Sequence, residues 1–160
     1  MNYKMKYKNS VIGYSIFSEN IDCNQIYLSI ELGNSVKEVI QSREGDITNL
    51  ALKNTVANTT VHENIKINDN NIRFKDKIIA CNGPFIIMDY FIYKCQVDEV
   101  GYYKVLYLDK RNIGYVYCQK SYQNKRIIYL PNATILFGNN GYLEHYKGKC
   151  NGLEIIQQED

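Results

Sequence analysis

Apolar and polar residues alternate along most of this chain, and the breaks in that alternation set its expected elements. In residues 3–8, Tyr3, Met5 and Tyr7 face one way and Lys4, Lys6 and Lys8 the other. This predicts a half-buried edge strand whose lysine stripe discourages pairing with other chains. Residues 26–32, IYLSIEL, continue the strand pattern. Ser35-Val36-Lys37-Glu38 then reads as a capping box, followed by Val36, Val39 and Ile40 at helical spacing and Gly45 as a stop. Asp46 would cap a second short helix carrying Ile47, Leu50 and Ala51, so one or two short helices are expected in residues 35–57.

From residue 65 the expectation is β throughout. Ile65-Lys66-Ile67 and Ile72-Arg73-Phe74 flank NDNN as a hairpin. That loop lacks the glycine and terminal glutamate of a calcium loop. The nearly continuous apolar run 85–95, FIIMDYFIYKC, predicts a central strand covered on both faces. Its one acid, Asp89, is read as a carboxylate satisfied by neighbouring amides or lysines. Pro131-Asn132 marks a turn. Asn140-Gly141 predicts a hairpin turn with positive φ at both central residues.

The stretch 101–122, GYYKVLYLDKRNIGYVYCQKSY, predicts two antiparallel strands joined through Asp109-Lys110-Arg111-Asn112. Gly114 has no side chain, so a ring or strand can approach it closely. Gly101-Tyr102-Tyr103-Lys104-Val105, then Gly114-Tyr115-Val116, then Tyr122, resemble the last half of bacterial Src-homology-3-like domains. Those domains run Gly, aromatic, any residue, Lys, Val, a short loop, Gly, aromatic, Val and a closing Tyr. Upstream, Asn82-Gly83-Pro84 matches a fragment of another family segment, without its arginine. The resemblance implies a small antiparallel β-barrel or curved sheet, with Val105 and Val116 in its core and Tyr102 and Tyr115 as partly exposed aromatics. The expected fold class is mainly β (α+β), as a single domain over 1–160, with 80–122 as the Src-homology-3-like core.

Composition sharpens the functional side. Fifteen tyrosines against no tryptophan and two prolines favour strands and contact surfaces, where a rigid ring with a polar tip adds area at low entropic cost. A formal net charge of +2 does not single out nucleic acid, which draws strongly basic domains. The cysteines, Cys23, Cys81, Cys95, Cys118 and Cys150, are odd in number and irregularly spaced, and His62 and His145 sit far from any cysteine pair. That spacing suits buried free thiols in a reducing compartment better than a zinc site or disulfide framework. The N-terminal apolar stretch VIGYSIF is a poor signal sequence, and no run reaches the roughly 18 apolar residues of a membrane span. A cytoplasmic protein needing no metal, cofactor or membrane is expected.

The preferred reading is a non-catalytic protein-binding module, with an immunity-type inhibitor of a cognate toxin domain as its specific version. Its contact would be Tyr102, Tyr115, Tyr117 and Tyr122, rimmed by Lys104 and Lys110. Two alternatives remain open. Interleaved tyrosine and lysine can stack bases and track phosphates in a nucleic-acid-binding small barrel. His62 and His145 could instead serve a metal-free nuclease as acid and base, if the fold brought them together.

Overall fold

The computed structural model describes residues 1–159. The chain runs through β1 (Asn2–Tyr7), β2 (Ser10–Asn20), β3 (Gln25–Leu32), β4 (Ser35–Glu44), β5 (Ile47–Val56), β6 (Thr59–Ile67), β7 (Asn71–Arg73) and β8 (Ile78–Ala80). It continues through β9 (Ile86–Ile87), the single-turn helix α1 (Met88–Phe91), β10 (Gly101–Tyr107), β11 (Asn112–Lys120), β12 (Ile127–Leu130), β13 (Ala133–Phe137), β14 (Leu143–Gly148) and β15 (Leu153–Gln157). Strand accounts for 63% and helix for 3%, so the mainly β expectation holds. Contacts divide the chain into two compact units, Met1–Asn2 with Ile12–Gly83, and Tyr3–Val11 with Pro84–Asp160.

The first unit is an antiparallel meander in which each strand from β2 to β8 pairs with the next. One face carries the core. Phe17, Leu28, Val39 and Leu52 stand opposite one another across β2, β3, β4 and β5, and all are buried. Leu50 opposite Ile65, then Ile67 opposite Ile72, continue the apolar line. Removing each such side chain from water contributes roughly 1.5–3 kcal/mol.

This meander corrects the helices expected in residues 35–57, which form β4 and β5. The supposed capping serine points backward, its hydroxyl donating to the Leu32 carbonyl at 2.9 Å across the turn. Gly45 is no helix stop. With φ of +62° it opens the two-residue turn Gly45-Asp46, as Gly33 at +58° opens Gly33-Asn34. Two-residue turns fix strand register, and the β-branched Val36, Val39, Ile40, Thr48, Thr55 and Val56 suit the pleated ladder between them. A capping-box pattern is a local signal, and sheet pairing on both sides of β4 overrode it.

The second unit orders its strands β1-β15-β14-β13-β12-β11-β10-β9, antiparallel except for the β9–β10 pair. Eight strands in a linear order, with no ladder closing β9 onto β1 among the described residues, do not confirm the barrel in the expectation of a small β-barrel or curved sheet. Its inner face carries the line Ile128, Ile135, Tyr146, Ile155 and Met5, directly opposite one another in turn. β1 pairs with β15. In the first unit the Met1 terminal amine and carbonyl exchange bonds with the Phe17 carbonyl and amide at 2.7 and 3.0 Å. Tyr3 and Met5 are buried as the alternation requires, whereas Tyr7 is exposed.

The run 85–95 is not a continuous central strand. After two residues of β9 it turns helical at Met88. Cys95 then donates to the Gly141 carbonyl at 2.9 Å, and Leu143 donates to that of Tyr93 at 2.8 Å. β9 ends the strand order, so a longer strand there would leave one flank bare. The helical turn instead carries Phe91 against Phe137, ring centroids 6.2 Å apart, and Tyr93 edge-on against Tyr3 at 5.1 Å. The Asn140-Gly141 hairpin lies between β13 and β14 as expected, but only Gly141 has positive φ. Asn140 contributes through its side chain, whose Oδ1 accepts from the Tyr142 amide at 3.0 Å.

Candidate functional site

The tyrosine hairpin forms with the register its alternation requires. Tyr102 stands opposite Tyr117 and Lys104 opposite Tyr115 on β10 and β11, so these four side chains share one face. Tyr102 is 77% exposed, Tyr115 69% and Tyr117 39%. The rings of Tyr102 and Tyr117 touch, with centroids 5.0 Å apart and planes inclined at 57°. Val105 and Val116 are buried on the opposite face. The hairpin is thus core on one side and an aromatic surface on the other.

The remaining two predicted contact residues lie elsewhere. Lys110 is at the hairpin tip, its ammonium 5.2 Å from the centre of the Tyr107 ring. Five residue steps of about 3.3 Å each separate Tyr102 from Tyr107, so the tip is well removed from the Tyr102–Tyr117 pair. Tyr122, 97% exposed, belongs to the loop after β11. Ser121 Oγ organises that loop by accepting from the amides of Gln123 and Asn124, each at 3.2 Å.

The ladder adds a residue that sequence reading passed over. Gln119, next after Tyr117 on the same face, pairs with Tyr129, and the row continues through Thr134, Lys147, Glu154 and Lys6. Tyr129 is 38% exposed and extends the aromatic surface onto β12. The alternation within IIYL was its one available signal, since Ile128 and Leu130 are buried. Gly114 does what its missing side chain allows: a β-carbon there would stand 3.1 Å from the Tyr107 ring. The ring lies across the glycine and is held at the hairpin end.

His145 lies one row further out, opposite Ile156. Its Nε2 is 2.9 Å from Glu154 Oε2. This hydrogen bond, with the charges of His145, Lys147 and Lys6, holds the Glu154 carboxyl below the usual glutamate range against a smaller opposing effect of burial. Glu144, at the register shift between β13 and β14, is 3.7 Å from Arg126. Glu144, His145, Leu136, Ile156, Gln157 and Glu159 enclose a pocket of about 440 Å³. His62 is exposed on β6 of the first unit, opposite Lys53. The two histidines therefore do not meet within either unit.

All five cysteines are free thiols. Cys81 and Cys118 are buried, Cys95 is partly buried, and Cys23 and Cys150 are exposed; the expectation of burial fails for the last two. Among the described residues no helix is long and apolar enough to cross a membrane. No family model, curated protein or solved structure matches the chain.

Proposed function

We propose that this chain is a non-catalytic protein-binding module and that its contact surface is the outer face of the β10–β11 hairpin, extended to Tyr129. The observation that carries the reading is the exposed, mutually touching pair Tyr102 and Tyr117, beside Tyr115 and Lys104 on paired strands. Large aromatics on a rigid ladder lose little conformational freedom on binding, and tyrosine is prominent among residues that dominate interfaces. The specific form proposed is an immunity-type inhibitor of a cognate toxin domain in the cytosol. The likeness of residues 101–122 to bacterial Src-homology-3-like domains suits a hairpin used in this way.

The test is affinity purification of the tagged chain, followed by binding measurements on the recovered partner. Tyr102→Ala and Tyr117→Ala should each weaken binding by at least about tenfold, corresponding to roughly 1.4 kcal/mol. Both variants should keep unfolding stability within about 1 kcal/mol, as surface truncations do. Recovery of nucleic acid in place of a protein, or unchanged affinity in both variants, would overturn the assignment.

A further inference from the structure

Beside the tyrosine hairpin, the second unit carries an open pocket. Met88 and Ile92 from the α1 region, Tyr107 and Tyr115 from the hairpin, Val116, Leu130, Pro131, Asn132 and Tyr146 bound about 300 Å³. None of these side chains is charged. Tyr146 is 8% exposed, and burial pushes its phenol pKa up. Among the described residues its hydroxyl has no hydrogen-bond partner. It is not among the buried polar atoms left unsatisfied, so it reaches solvent at the pocket and is available there to donate or accept.

Size and chemistry limit the occupant. A sealed apolar cavity of about 150 Å³ holds a benzene ring, so this pocket has room for one substituted ring. The neutral lining excludes a charged headgroup, because an unpaired charge there would lose its hydration without compensation. Met88, Ile92, Val116, Leu130 and Pro131 supply apolar walls, while Tyr146 supplies one donor or acceptor. We propose that this pocket is a binding site for a neutral aromatic ring bearing one hydrogen-bonding substituent, the substituent meeting the Tyr146 hydroxyl. A free phenol and a tyrosine side chain presented by a protein share this chemistry. The proposal stands apart from the hairpin contact surface, with which it shares only Tyr115.

Titration of the full chain with p-cresol, followed by amide NMR shifts, tests it. The expected result is saturable binding with Kd on the order of 1 mM, as befits so small a ligand, and shifts centred on Ile92, Val116, Asn132 and Tyr146. Tyr146→Phe should weaken p-cresol about tenfold and leave toluene unchanged. Asn132→Trp, at an exposed turn residue on the rim, should abolish binding of both without unfolding the chain. N-acetyltyrosinamide separates the sources. Binding as tight as p-cresol supports a ring carried by a polypeptide, and exclusion supports a free small ligand. Absence of saturable shifts, shifts centred elsewhere, or equal p-cresol affinity in Tyr146→Phe would overturn the proposal. Partner binding measured with the hairpin variants is a separate readout, so the two readings can fail independently.

Discussion

Glu154 and His145 show how much one polar pair on a sheet surface can report. The pair is partly exposed, so its net contribution is small, but its sign is fixed. The folded-state pKa of Glu154 is depressed, so its stabilisation is present above the unfolded glutamate pKa of about 4.3 and is lost as pH falls through the folded value. Glu154→Gln should therefore flatten the fall in melting temperature between about pH 5 and pH 3 and change it little near pH 7. An unchanged acid limb would show that other carboxylates dominate. The cysteines make a second residue-scale prediction. Burial raises the Cys118 thiol pKa to about 11, and thiolate is the reactive form. Cys23 and Cys150 should be labelled by a thiol reagent in the native protein, whereas Cys81 and Cys118 should react only on unfolding. Early labelling of Cys118, read by peptide mass spectrometry, would contradict its placement.

At the scale of elements, the turns carry information that hydrophobic spacing does not. The β5–β6 turn places Ala57 at φ +47° and Asn58 at +69°, a conformation that suits Asn-Gly and strains alanine. The double substitution Ala57→Asn with Asn58→Gly should stabilise the chain by about 0.5–1 kcal/mol. For a chain of this size that amounts to a rise of about 1–4 °C in melting temperature, measurable by calorimetry. The hairpin β10–β11 makes the opposite prediction at Gly114. Gly114→Ala would press on the Tyr107 ring, and the variant should lose stability by roughly 1 kcal/mol as the ring is displaced. Stability unchanged in that variant would mean the ring shifts freely. These local facts also explain the misread helices. Ser35 and Glu38 match a capping box in sequence, yet Gly33 and Gly45, each at positive φ, had already committed the intervening residues to a strand between two tight turns.

On the scale of the whole molecule, the alternation of the tyrosine hairpin was legible because every residue that decides its register lies within about 20 positions. The expected face of Tyr102, Lys104, Tyr115 and Tyr117 formed for that reason. Tyr129 and Tyr146 were not legible as members of any site. Their neighbours come from β11, β13, β14 and the helical turn, and each ladder pairing depends on where the adjacent strand stopped. Lys110 and Tyr122 parted from the face because the strand ended before each of them.

The sequence by itself determined that the protein is mainly β, where the hairpins at 68–71, 109–112, 131–132 and 140–141 turn, and which faces of β1, β10 and β11 are apolar, since period-two alternation and turn residues act locally. Only the tertiary structure decided that residues 35–57 are strands, that the run 85–95 breaks into a helical turn, and that an uncharged pocket lies beside Tyr146. Each of those outcomes rests on free energy from contacts made far along the chain: ladder bonds on both sides of β4, rings at Tyr3 and Phe137, and walls drawn from separate elements around one phenol.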